Sequence, residues 1–256
     1  MTESQKERYK RHLMLEDVGE EGQERLLRAS VLVIGAGGLG SPNCFYLAAA
    51  GIGRIGILDF DIIELNNLQR QIIHTTPEIH SAKVKSAARK MSALNPEVQI
   101  ETHFEKLSSA NALSLMQEYD FVIDATDNFA SKFLINDACI LANKPLSHAG
   151  IFKHHGQTIT ILPKKSACFA CIFDKPPSVE LNSVFKAGLF GVVPGVVGCI
   201  QASEAIKYFL GFPLLTNQLL HVDTKNMDFR KIVVQRHEEC RVCGKHGIQT
   251  LTDYPQ

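Results

Sequence analysis

Apolar and polar positions along the chain change period repeatedly, and each change marks a predicted element. Two charged, helix-like stretches open it, Glu3 to Glu16 and Glu20 to Arg28. A short β-branched apolar run, Ser30 to Ile34, then reads as a buried strand. A glycine turn, Gly35 to Gly40, leads into a helix over Ser41 to Gly51, with Pro42 in the first turn where its missing N–H costs little. Arg54 to Asp59 is a second strand. Helices over Ser81 to Leu94, Ser108 to Glu118 and Asn128 to Asn143 alternate with strands over Val98 to Phe104, Phe121 to Ala125 and Pro145 to Ala149. Alternation of this kind predicts βαβ units and an α/β, Rossmann-like, mostly parallel sheet with helices on both faces.

The pattern changes after Gly150. Gly156 to Leu162, Gln218 to Asp223 and Phe229 to Gln235 have the character of antiparallel strands, and Pro194 to Leu210 reads as an apolar helix. Residues 174–191 hold prolines and glycines with weak periodicity and read as a loop. The organisation expected is a helical arm (1–28), a nucleotide-binding half (29–150) and a second half (151–256) that extends the first sheet, all in one domain.

Composition narrows the class. The 256 residues are 45% hydrophobic and 21% charged, as in ordinary globular proteins. Lys plus Arg and Asp plus Glu are both 27, which argues against a general nucleic-acid binder held by phosphate neutralisation. The apolar run from Val192 to Ile200 is too short to span a membrane. Met1 to Lys10 is polar and carries no secretory h-region, so a cytoplasmic, reducing location is expected for the seven cysteines.

Gly35-Ala-Gly37-Gly38-Leu-Gly40 matches the G-x-G-x-x-G pattern between a strand and a helix. Such glycines let the backbone approach a phosphate at the helix N-terminus. Asp59 ends the next strand, where a carboxylate can accept from ribose hydroxyls. These features fit NAD and ATP alike. Arg70, Lys83 and Asp127 tilt the balance. Two cations suit a triphosphate, and a carboxylate at a strand end is a hard ligand for Mg²⁺. Taken singly, each cation reads as a surface charge. Taken with the glycine turn and two strand-end aspartates, they read as one site.

The chain resembles the ThiF/MoeB/HesA family, relatives of the ubiquitin-activating enzymes. The resemblance covers nearly the whole chain. It rests on Arg8-Tyr-Lys-Arg11-His, the glycine turn, Asp59-Phe-Asp61, Asn67-Leu-Gln-Arg70-Gln, Lys83, Asn95-Pro96 and Thr126-Asp127-Asn128. It continues through Gly195-Val-Val-Gly198, Gln201-Ala202 and Glu204-Ala-Ile-Lys207. It implies ATP-dependent adenylation of the C-terminal Gly-Gly carboxylate of a small ubiquitin-like sulfur carrier of the ThiS or MoaD type, in thiamin or molybdenum-cofactor biosynthesis. Asp59 would hold the ribose, and Asn67, Arg70 and Lys83 the phosphates. Gln69 and Asn128 would line the nucleotide site, and Asp127 would bind Mg²⁺. Arg11 would reach the triphosphate from the other subunit of a homodimer. The inventory suits the reaction. A C-terminal carboxylate, with a pKa of ~3.5, is already ionised and needs positioning and charge neutralisation rather than a general base.

Cys168-Phe-Ala-Cys171 and Cys240-Arg-Val-Cys243 are two C-x-x-C pairs. The alternatives are a redox pair, unrelated thiols, or a Cys₄ zinc knuckle, and the resemblance favours structural zinc. His237 and His246 flank the second pair and are expected at the surface. Some family members carry a nucleophilic cysteine in the crossover loop, but here Ser183 and Val184 occupy the expected position. A hydroxyl cannot form the disulfide or persulfide, so a covalent carrier intermediate is not expected. Any sulfur donor would be a separate protein. Cys44, Cys139 and Cys199 are expected in the core. His148, His154 and His155 fit no standard metal spacing. Two other readings remain: a non-catalytic carrier-binding relative, and an NAD-dependent oxidoreductase, which leaves Arg70, Lys83 and Asp127 without a role.

Overall fold

A computed structural model describes residues 1–177 and 188–255. The arm forms α1 (Glu3–Arg8), α2 (Lys10–Leu13) and α3 (Gly19–Arg28). Then follow β1 (Ser30–Ile34), α4 (Gly40–Ala50), β2 (Arg54–Leu58), α5 (Lys83–Leu94), β3 (Gln99–His103) and α6 (Ala112–Gln117). Next come β4 (Phe121–Asp124), α7 (Phe129–Ala142), β5 (Leu146–Phe152), β6 (His155–Ile161) and the one-turn α8 (Phe169–Ile172). The chain ends with α9 (Val193–Leu210), β7 (Gln218–Asp223) and β8 (Asp228–Val233).

The strands make one eight-stranded sheet in the order β3-β2-β1-β4-β5-β6-β7-β8. The first five pair in parallel and the last three join antiparallel. In β1 every residue is buried, and the pleat divides them between two layers. Val31 and Val33 pack with Leu47, Val84 and Val197, under α4, α5 and α9. Leu32 and Ile34 pack with Leu115, Phe133 and Phe169 on the opposite face. The parallel centre of the sheet is therefore covered on both sides, as a parallel sheet requires, while the edge strand β8 is largely exposed.

Three departures from the sequence reading have local causes. The helix expected over Glu3 to Glu16 is broken at Tyr9. There the backbone leaves helical geometry, and the buried ring lies against Gly51, its hydroxyl accepting from Asn95 Nδ2 at 2.9 Å. The α6 helix starts at Ala112 rather than Ser108, because the intervening residues form a turn in which Ser108 N–H donates to Asn111 Oδ1 at 2.8 Å. The strand expected to stop at Ala149 runs on to Phe152 and pairs with β6 through a hairpin, turning at Lys153 with φ of 53°. No helix among the described residues is long and apolar enough to cross a membrane.

Cys44 and Cys139 are fully buried, as expected, and burial pushes the Cys44 thiol up to about 12. Cys199 is not a core residue. It is only partly buried, because the face of α9 that carries it borders a surface groove of about 310 Å³ shared with His12, Leu15 and Tyr46. Ser183 and Val184, and most of the expected crossover loop, lie outside the described residues.

Candidate nucleotide cleft and cysteine cluster

Strand ends, a glycine turn and two loops bound a cleft of about 760 Å³. The turn's outer glycines serve the backbone. At Gly35, φ is 104° and an added Cβ would meet Ala125 O at 2.6 Å, while at Gly40 a Cβ would meet Gly35 O at 1.9 Å. Gly37 and Gly38, with Gly35, line the cleft. His74 braces the turn from behind, its Nε2 lying 2.8 Å from Ala36 O and its Nδ1 2.9 Å from Ser86 Oγ.

Asp59 stands where β2 ends. Its Oδ2 accepts from Ala36 N–H and its Oδ1 from Asp61 N–H, both at 2.8 Å. Burial raises its pKa, and nearby Lys83 works against that rise. Lys83, buried at the start of α5, donates to Asp61 Oδ2 at 2.8 Å. Arg70 lines the cleft and donates through Nη1 to Asn66 O at 3.0 Å. Gln69 lies on the wall beside Gly188 and Leu189, where the described chain resumes. Asp127 and Asn128 follow β4 at the opening, and Asn128 Oδ1 also caps α7 by accepting from Ser131 N–H at 2.9 Å.

Gly35, Gly37, Gly38, Asp59, Gln69, Arg70, Lys83, Asp127 and Asn128 thus meet in one cleft. Asn67 does not join them. Its buried amide serves its own loop, with Oδ1 accepting from Glu64 N–H at 3.2 Å and Nδ2 donating to Asn66 Oδ1 at 2.6 Å. Arg11 is exposed on α2 and is not among the residues that line the cleft of its own chain.

Sequence reasoning assigned no role to several lining residues. Asp61 is the acid that pairs Lys83. Gln71 is buried beside Gly37 with an unpartnered Oε1. Lys132 and His148 both contact buried Asp124. The available signal for Lys132 was a lone cation in the largely apolar stretch Phe129 to Ala142.

The four cysteines do converge. Their sulfur atoms all lie within 4.8 Å of one another, across two C-x-x-C pairs that are far apart in sequence. Sulfur separations of 3.9 Å (Cys168–Cys171), 3.7 Å (Cys168–Cys240) and 3.5 Å (Cys171–Cys243) are too long for disulfides. They match the edges, about 3.8 Å, of a tetrahedron with zinc–sulfur bonds of about 2.3 Å. His237 N–H and Val242 N–H each lie 3.5 Å from a cysteine sulfur, and such donors stabilise thiolates. The residues fit a four-thiolate metal site, and no other group of three or more potential ligands occurs among the described residues.

A profile of the ThiF family matches residues 9–242. The chain belongs to the ThiF family. Among curated ThiF relatives, a sulfur carrier protein adenylyltransferase of Thermus thermophilus is 44% identical, over 99% of this chain and 96% of its own length. A SAMP-activating enzyme E1 of Haloferax volcanii is 39% identical over 98% of this chain and 93% of its own. An adenylyltransferase and sulfurtransferase MOCS3 of Culex quinquefasciatus is 42% identical, and the match spans 58% of that protein. Among solved structures, E. coli MccB with MccA-N7isoAsn superposes with a TM-score of 0.83 at 25% identity, covering 93% of this chain and 75% of that one. MccB with ATP gives a TM-score of 0.79 at 26% identity, covering 87% of this chain and 68% of that one.

Proposed function

We infer that this chain adenylates the C-terminal carboxylate of a small ubiquitin-like sulfur carrier ending in Gly-Gly, using ATP. The observation that carries the reading is the convergence of Asp59, Arg70, Lys83 and Asp127 on the rim of one cleft at the strand ends. A dehydrogenase needs the glycine turn and the acid but has no use for two cations and a second aspartate.

In the reaction, a carrier carboxylate oxygen forms a bond to the α-phosphorus, the bond from that phosphorus to the β-bridging oxygen breaks, and pyrophosphate leaves. Asp59 orients the ribose, its position fixed by two backbone N–H groups. Lys83 and Arg70 bind phosphate oxygens and neutralise charge developing toward the leaving group. Asp61 holds Lys83 aimed into the cleft. Asp127 would hold Mg²⁺ through a hard oxygen ligand, and that ion would neutralise phosphate charge when bound. No side chain need take a proton from the carrier, because its carboxylate is ionised at neutral pH. Zinc would sit on Cys168, Cys171, Cys240 and Cys243 as a structural clamp, with every coordination position filled by thiolate. Thiolates of this kind suit a reducing, cytoplasmic location, and a separate protein would donate sulfur.

The chain would work as a homodimer in which Arg11 reaches the partner's cleft. Apolar side chains exposed near α2 and α4, namely Met14, Leu15 and Tyr46, support a covered surface there.

ATP–pyrophosphate exchange with Mg²⁺ and candidate carriers tests the reading. Exchange that requires one carrier and its free C-terminal carboxylate is expected. Carrier binding without exchange would indicate a non-catalytic relative, and tight NAD binding would indicate the oxidoreductase.

A further inference from the structure

One wall of the cleft carries a buried nitrogen that no described group satisfies. His148 lies in β5 directly beside Asp124 at the end of β4, and it is 1% exposed while lining the cleft. Its Nδ1 is 2.7 Å from Asp124 Oδ2. Its Nε2 has no hydrogen-bond partner among the described residues, and Nδ1, though close to Asp124, does not meet hydrogen-bond geometry with it either. The ring cannot swing away freely, because Phe169 packs against it with centroids 4.1 Å apart.

The surroundings decide what Nε2 can do. Asp124 is fixed from three sides. Thr126 N–H and Oγ1 donate to its Oδ1 at 3.0 and 2.6 Å, and Lys132 Nζ lies 3.3 Å from Oδ2. Burial alone would raise this carboxyl, but Lys132 and His148 hold it well below the usual carboxylate range, so it is ionised. A carboxylate lone pair and an imidazole lone pair repel at 2.7 Å, so the ring proton resides on Nδ1. Burial favours the neutral ring. Nε2 therefore presents a lone pair, an acceptor that suits an N–H donor and repels carboxylate or phosphate oxygen.

Position in the sheet indicates which donor. Asp59, at the ribose end, belongs to β2, and His148 belongs to β5, three strand spacings away across β1 and β4. At ~4.8 Å per spacing the two ends are roughly 14 Å apart. The nucleoside occupies the Asp59 end, and the lone pair on Nε2 turns phosphate oxygen away, so the group that meets it comes from the other substrate. That substrate is the carrier's tail, an extended peptide whose free donors are backbone N–H groups.

We propose that His148 Nε2 accepts a hydrogen bond from a backbone N–H of the carrier's C-terminal glycines, making His148 a specificity-determining residue that Asp124 positions. The contact would be made when a peptide tail enters the cleft. The inference rests on the adenylation reading above.

Calorimetric binding tests it separately from turnover. The probe is a Gly-Gly carrier, wild type and as semisynthetic versions in which each of the last two glycine amides in turn is replaced by an ester, deleting one N–H. One ester is expected to weaken binding to the wild-type enzyme about tenfold. His148→Phe should bind the amide carrier about tenfold more weakly and no longer distinguish amide from ester. His148→Gln, which keeps an acceptor, should recover part of both effects. ATP affinity should be unchanged in both variants. Undiminished amide-carrier binding by His148→Phe, or an ester effect as large in that variant as in wild type, would overturn the proposal and leave Nε2 to a bound water. Should His148→Phe fail to fold, the ester effect in wild type against His148→Gln decides. A wild-type enzyme that binds a carrier but shows no pyrophosphate exchange overturns the adenylation reading alone. One that binds no Gly-Gly carrier overturns this inference too.

Discussion

At the residue scale, the cleft separates side chains that can meet a substrate from those that shape the wall. Asp127 is exposed at the opening, so its carboxylate is available to a cation and contributes little to packing. Asp127→Asn should reduce ATP–pyrophosphate exchange by about a hundredfold or more while thermal unfolding stays within about 2 °C of wild type. A normal exchange rate in the folded variant would remove Asp127 from the chemistry. Asn67 should behave in the opposite way. Its amide closes the loop that carries Arg70, so Asn67→Ala should cost about 1 kcal/mol of stability and affect exchange only through that loop. Several of these positions were legible because carboxylates at strand ends and a glycine turn have few other uses in an α/β chain. Gln71, Lys132 and His148 were not, since a buried polar residue has no meaning until its neighbours are known.

At the element scale, close backbone approach and edge pairing set the tolerances. The turn between β1 and α4 brings Gly40 against Gly35 O, and the 1.9 Å a Cβ would have there leaves no room for a methyl group. Gly40→Ala should destabilise the protein by about 3 kcal/mol or more and abolish nucleotide binding, as read by thermal unfolding with and without ATP. At the other end of the parallel run, Arg54 on β2 donates two N–H groups to Glu101 on β3, at 2.9 and 2.7 Å. That pairing, with Tyr119 adding a hydrogen bond, lowers the Glu101 carboxyl from 4.5 to about 2. A depressed carboxyl stabilises the fold above its unfolded value and loses that contribution as pH falls through the folded one. Glu101→Gln should therefore cost about 1 kcal/mol at neutral pH, allowing for partial solvent screening. The difference from wild type should vanish as pH falls from about 5 toward 2. An equal difference at all pH values would assign the effect to packing. The helical period predicted one continuous helix over Glu3 to Glu16, but burial of Tyr9 against Gly51 and Asn95 outweighs the local preference for continuing it.

At the scale of the whole molecule, the cysteine cluster joins the middle of the chain to its end. The C-terminal segment is also held by Tyr254, whose hydroxyl bonds Asp137 on α7, and by Asp253, which accepts from Ser109. Elemental analysis should find one zinc per chain. Chelation or Cys240→Ser should release it, lower the unfolding temperature and open residues 234–255 to protease; intact zinc content in Cys240→Ser would show that the metal does not need that thiol. The proposed dimer makes a second prediction at this scale. Arg11→Ala and Lys83→Ala should each be inactive alone. Mixed and allowed to exchange subunits, they should regain activity in about a quarter of all sites, because each hybrid dimer rebuilds one complete cleft. Failure to recover activity despite proven exchange would place Arg11 outside the reaction.

Alternation of strand and helix, the glycine turn, the strand-end aspartates and the paired cysteines determined the fold class and the nucleotide end of the site. All of these are local patterns, set by backbone geometry and residue chemistry within a few positions. Tertiary structure alone decided which groups share a wall. It turned Asn67 inward to its own loop, set Cys199 beside a surface groove, and brought four thiols from opposite ends of the second half within 4.8 Å of one another. It also placed His148 beside Asp124, with Nε2 left without a partner among the described residues. The physical reason is that burial, charge pairing and hydrogen-bond satisfaction depend on contacts between residues far apart in the chain, which no local pattern encodes.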